Sequence, residues 1–221
     1  MGRIARAVAV EFPHHVTQRG NYRQTVFKRD QDYLLYLEWL KLYAEKYRLK
    51  IWAYCLMRNH VHYVAVPQLS DSLARTFNTL HMRYSQYANK RVNATGHLWQ
   101  GRFFSCALDE AHLFAAVRYV ENNPVRAGIV QKAEEYKWSS AKAHIARKKD
   151  SILSGDCYLE KEIKDWKSYL RAAEDKTVVK NFRQHTRTGW PCGNDVFLNK
   201  IEHLLGRQVS ANPRGRPRMG K

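Results

Sequence analysis

Acidic residues are scarce in this chain. It carries 20 Asp and Glu against 38 Lys and Arg, giving a formal net charge of +18. That imbalance argues against a protein with neutral partners and suits a polyanion, with nucleic acid first among the candidates. Long apolar runs are also missing. No segment approaches the ~20 residues of a spanning helix, and the N-terminus has no signal-peptide core, so a soluble cytoplasmic or nucleoid-associated protein without a membrane partner is expected. Cysteine is sparse: Cys55, Cys106, Cys157 and Cys192 form no Cys-x-x-Cys pair, which speaks against a zinc ribbon and a disulfide scaffold. No internal repeat is visible.

Aromatic residues, at 12%, are plentiful by contrast. Bases stack on aromatic faces while cations track phosphates, so the combination hints at unpaired strands, although any single ring is first a core residue. The pattern along the chain reads as a strand over 8–18, a helix over 30–48, two strands over 51–56 and 61–66 around a tight turn, a helix over 70–90, a strand over 98–108 and a helix over 110–122 stopped by Pro124. The first six match a split βαβ plan: an α+β, ferredoxin-like (RRM-like) antiparallel sheet with helices on one face. Beyond about residue 148 the pattern weakens. Helical character returns over 156–173 and 195–205 with a Thr-Arg-Thr-Gly-Trp-Pro-Cys-Gly connection between them. The expected organisation is a catalytic domain over 1–148, an accessory helical region over 149–206 and a flexible basic tail over 207–221.

Two constellations carry chemistry. In His60-Val61-His62, strand alternation points both imidazoles to one face, where they can share a metal; a hydrogen-bonded structural pair is the plainer reading. In Tyr119-Val120-Glu121-Asn122-Asn123-Pro124, Tyr119 and Asn123 lie four apart and share a helix face. A phenol is a competent nucleophile toward phosphorus, and Asn123 offers a neutral oxygen as a third ligand; surface aromatic and helix cap are the plainer readings here. Two imidazoles and one amide would leave coordination positions open for substrate oxygens, which suits Mg²⁺ or Mn²⁺ better than a closed zinc site.

His-Val-His on a strand followed by Tyr-x-x-x-Asn-Pro-Val-Arg-Ala-Gly resembles the HUH single-tyrosine transposases. Within that class, His15-Val16-Thr17-Gln18-Arg19-Gly20-Asn21, Met57-Arg58-Asn59-His60-Val61-His62, Trp99-Gln100-Gly101-Arg102-Phe103 and Asn123-Pro124-Val125-Arg126-Ala127-Gly128 look like the REP-associated tyrosine transposases, over roughly residues 14 to 140. The resemblance implies a domesticated bacterial enzyme that binds repetitive extragenic palindromes as single-stranded hairpins and cleaves near the hairpin foot. It further implies Tyr119 as nucleophile, joined to the 5′ phosphate with a free 3′-OH left behind, and His60, His62 and Asn123 as ligands of Mg²⁺ or Mn²⁺. Many related transposases carry Gln where this chain has Asn123, whose shorter arm loosens that role.

Arg19, Asn21, Arg58, Arg102 and Arg126 accompany these motifs and are expected DNA contacts, with Trp99 and Phe103 either stacking on a base or filling the core. In the tail, Pro213-Arg214-Gly215-Arg216-Pro217 resembles an AT-hook core, so Arg214 and Arg216 are expected to touch duplex DNA. A noncatalytic binder of palindromic DNA on the same fold is the main alternative. Monomer and homodimer both remain open, as does use of Tyr119 in cis or in trans.

Overall fold

The strands are built from β-branched and aromatic residues, and their alternation decides which side of the sheet each helix covers. The computed structural model describes residues 6–209, so Arg214 and Arg216 lie outside the described residues. The elements are β1 (His14–Arg19), α1 (Asp30–Lys46), β2 (Leu49–Met57), β3 (His60–Pro67), α2 (Ser72–Arg91), β4 (Phe104–Ala107), α3 (Glu110–Glu121), α4 (Asn123–Arg126), α5 (Ala141–Ala146), α6 (Leu159–Glu162), α7 (Trp166–Arg171), α8 (Lys176–Thr188) and α9 (Asp195–Leu205). The strands form one antiparallel sheet in the order β2-β3-β1-β4, the arrangement of a split βαβ plan. Met57 pairs with His60, so Arg58 and Asn59 alone make the turn between β2 and β3.

Neighbouring residues of β3 separate the two faces. Tyr63 donates its hydroxyl proton to Tyr36 of α1 at 2.8 Å and packs on Phe77 of α2, so α1 and α2 cover that side. His62, one residue earlier, points the other way, toward Tyr119 of α3 with ring centroids 5.7 Å apart. The sequence placed helices on one face. That describes α1 and α2, and the structure adds α3 and α8 as a second helical layer over the opposite face.

Several boundaries differ from the expected ones. β1 starts only at His14, because Ala7 and Ala9 pack instead with Phe197 and Ile201 of α9. β4 spans four residues, since Gly101 takes a left-handed φ of 88° and the chain before Phe104 anchors itself through Trp99 and Phe103, which pack on His81 and Phe77. The helix expected over 156–173 is two short helices, α6 and α7. The Thr-Arg-Thr segment expected as connection is instead the end of α8, which Gly189 terminates at φ 82°. The region read as accessory contributes Cys157, Leu159, Trp166, Leu170 and Phe182 to the same core as the sheet.

One buried carboxylate fastens α3 to that region. Glu121, fully buried, accepts hydrogen bonds from the Ser140 hydroxyl at 2.5 Å, His144 Nδ1 at 2.6 Å and Trp166 Nε1 at 2.7 Å. Burial alone would lower the His144 pKa, but the charge and hydrogen bond of Glu121 outweigh it and the net shift is upward. The stabilisation from that raised pKa is complete below the ordinary value of 6.5 and is lost as pH rises through the folded-state value. Glu121→Ala is expected to cost about 3–5 kcal/mol in urea unfolding, because it leaves a buried charge and two donors unpaired. The alkaline loss of stability should be present in the parent chain and absent in His144→Gln; unchanged profiles in both would contradict this reading.

Candidate active site

The antiparallel register of β1 with β3 sets Thr17 opposite His62 and Arg19 opposite His60. His60 and His62 therefore stand on one face with ring centroids 5.0 Å apart, as the alternation predicted. α3 lies over this face and brings Tyr119 to His62. Its helix ends at Glu121, and the chain turns through Asn122 into α4, with Pro124 in its first turn. Asn123 still reaches the same cavity. Tyr119, His60, His62 and Asn123 all line this cavity of about 770 Å³.

The imidazoles are held in defined states. Burial, assisted by the charge of Arg19, lowers the His60 pKa to about 4. Burial first, and then the charges of His15, His60, Arg126 and Arg19, hold His62 well below the usual range. Both are neutral at physiological pH, the form that binds metal. Asn59 Oδ1 sits 2.7 Å from His60 Nδ1 and can only accept, because its Nδ2 is turned to the Arg23 carbonyl. The His60 proton is thus on Nδ1 and Nε2 is bare. Asn123 lies beside His60 in this cavity, and its Nδ2 is buried without a partner. This donor set fits a hard or borderline divalent cation with open positions, and no group of three or more His, Cys, Asp or Glu that could hold a metal exists among the described residues.

Cations surround the site. Arg19, Arg23, Arg126, Arg183 and Arg187 line the cavity, with no acidic side chain among the described lining residues. Arg126 donates to the Tyr119 carbonyl at 2.8 Å, lies 3.9 Å from the centre of its ring and pairs with Glu174. Arg183 of α8 donates Nε–H to the Tyr119 phenol oxygen at 3.3 Å. Of the expected DNA contacts, Arg19 and Arg126 line the cavity, whereas Asn21, Arg58 and Arg102 do not. Trp99 and Phe103 are core residues, 6% and 3% exposed, and so offer no face to a base.

Two contributors have no role in the sequence reading. His15 belongs to a quoted motif, and its placement two and four residues before Thr17 and Arg19 on one strand face was the available signal. The other is α8, whose Phe182, Arg183, Thr186 and Arg187 close the cavity.

Residues 9–123, just over half of the chain, match the family described as Transposase IS200 like. The chain belongs to the IS200-like transposase family, whose members act on DNA. A solved REP-associated tyrosine transposase bound to a REP hairpin is similar in fold, with 18% identity and a TM-score of 0.54 over 71% of this chain and 93% of that one. A candidate transposase from Deinococcus radiodurans R1 is 20% identical at a TM-score of 0.39, over 55% of this chain and 97% of that one. No curated protein matches the sequence. No helix among the described residues is long and apolar enough to cross a membrane.

The burial of the site histidines is directly measurable. In the metal-free chain, ring-proton resonances of His15 and His60 are expected to titrate near about 3 and about 4. A midpoint near the ordinary 6.5 for either ring would contradict the enclosed geometry.

Proposed function

We propose that the chain nicks and rejoins single-stranded DNA at palindromic hairpins of the repetitive extragenic kind, through a phosphotyrosine at Tyr119. The observation that carries this reading is the meeting of one tyrosine, two strand histidines and an amide in a single arginine-lined cavity. The phenol oxygen of Tyr119 attacks the scissile phosphorus, a bond forms from phosphorus to that oxygen, and the bond to the 3′ oxygen breaks. The phenol proton is given up and the departing 3′ oxygen takes one up, so a free 3′-OH remains while Tyr119 holds the 5′ phosphate. One ester replaces another, and a later attack by a 3′-OH reverses the exchange and frees the tyrosine without ATP.

The imidazoles of His60 and His62 and the Asn123 amide oxygen would hold Mg²⁺ or Mn²⁺. Such an ion, when bound, polarises a phosphate oxygen and offsets charge developing on it. Arg183 and Arg126 hold the phenol and its ring in place, and the five cavity arginines attract the phosphate. A groove of about 780 Å³ that shares Arg126, Arg183 and Arg187 with the site adds Lys180 and extends a cationic path for the strand away from the cavity. Similarity in fold to a transposase solved with a REP hairpin supports the choice of hairpin substrate.

The test is incubation of the full chain with labelled single-stranded hairpins and Mn²⁺ or Mg²⁺, resolved on a denaturing gel. A DNA–protein adduct is expected that vanishes with a chelator and with Tyr119→Phe, while hairpin binding by that variant persists. Tight binding with no adduct and no cleavage across several palindromes would replace this reading with a noncatalytic binder.

A further inference from the structure

A hydroxyl group has one proton, and in α8 the Thr186 hydroxyl gives its proton to the Phe182 carbonyl one turn back, at 2.9 Å. The carbonyl only accepts, so a Thr186 hydroxyl that back-bonds to it has no proton to offer elsewhere. Lone pairs alone are then left on the Thr186 oxygen for its other neighbours. His15 Nδ1 lies 2.9 Å away and, in that arrangement, donates. Cys106 Sγ lies 3.4 Å from the same oxygen, a contact in which either atom can donate.

A neutral imidazole carries one proton, so the direction of the first bond passes through the ring. His15 is 2% exposed, lies between Phe182 and the His62 ring and has no carboxylate bonded to it, which keeps it neutral. With the proton on Nδ1, His15 Nε2 is an acceptor. It faces His62 Nδ1 at 2.9 Å, and His62 must therefore donate from Nδ1. The second nitrogen of His62 is left bare on the side of the cavity.

We propose that Thr186 and His15 are positioning residues that fix His62 in its Nδ1–H tautomer and so present a bare Nε2 to a divalent cation. The inference rests on the reading of His62 as a metal ligand for its consequence, though not for its geometry. Metal-binding histidines commonly donate their other ring N–H to a partner that orients the ring. His60 does so locally, through the adjacent Asn59. His62 does so through a relay that reaches 47 residues back to His15 and from there 171 residues forward to α8. Remove the Thr186 acceptor and His15 loses its reason to keep the proton on Nδ1. The opposite tautomer of His15 would donate to His62 Nδ1, forcing the His62 proton onto Nε2 and blocking that nitrogen as a ligand. The helix that closes the cavity thereby also sets the chemical state of its floor.

Two readouts on the full chain test this. One is the ring ¹⁵N spectrum of His62 in metal-free protein, which reports the tautomer directly; the other is Mn²⁺ binding followed by electron paramagnetic resonance. The parent chain should show His62 as the Nδ1–H form. Thr186→Val should move it toward the Nε2–H form and weaken Mn²⁺ binding by about 10–100-fold, the range for loss of an orienting partner. Thr186→Ser, which keeps the hydroxyl, should restore both. An Nε2–H form in the parent chain overturns the proposal, whether or not the valine variant folds, and so does an unchanged His62 tautomer in a folded Thr186→Val. Should the parent chain hold the Nδ1–H form yet bind Mn²⁺ no better than His62→Ala, the relay stands and the metal reading of the proposed function fails.

Discussion

The antiparallel pairing of β1 with β3 is the constraint on which the site depends. It places His15, Thr17 and Arg19 on the same face as His60 and His62, and it leaves Val16, Val61 and Tyr63 to the opposite layer. Side chains alternate with a period of two, so a slip by one residue would exchange the faces completely, driving the imidazoles into the aromatic layer under α1 and α2. The burial of Tyr63 against Tyr36 and Phe77 makes that slip costly. Packing on one side of the sheet thus secures the chemistry on the other.

Charge and burial act in the same sense on the imidazoles of this site. Enclosure under α3 and α8 depresses the pKa values of His15, His60 and His62, and the nearby arginines depress those of His60 and His62 further. The same arginines leave the cavity cationic in a way that neutral imidazoles cannot offset, and a phosphate entering it meets several partly desolvated guanidinium groups at once. Glu174 pairs with Arg126 at the rim shared with the neighbouring groove. The positive charge of the chain, visible as a bulk property in its composition, is here concentrated where a strand would pass the tyrosine.

What could be read from the sequence follows the range of each interaction. His60 with His62, and Tyr119 with Asn123, were legible because two and four residues are the repeats of strand and helix, and the structure brings all four together. Arg58 and Asn21 were reasonable by proximity to motifs, yet their side chains stand away from the cavity. The role of His15 was hidden because its partners are His62 and Thr186, distant along the chain. α8 was missed because, among its described side chains, Phe182 and Thr186 alone are buried and polar residues far outnumber apolar ones. Its ends were nevertheless marked, with Asp175 accepting from Thr177 N and Val178 N and Gly189 left-handed at the close. Trp99 and Phe103 went to the core, as aromatic residues beside a strand usually do.

The central claim is that Tyr119, the tyrosine enclosed between His62, Phe182 and two arginines, is the residue that joins DNA. Peptide mass spectrometry of protease-digested protein after reaction with a hairpin oligonucleotide and Mn²⁺ tests it most directly. The expected result is nucleotide mass on the peptide containing Tyr119 and on no other. Attachment at a different tyrosine, such as Tyr22, which is 91% exposed and free of the histidine face, would contradict it.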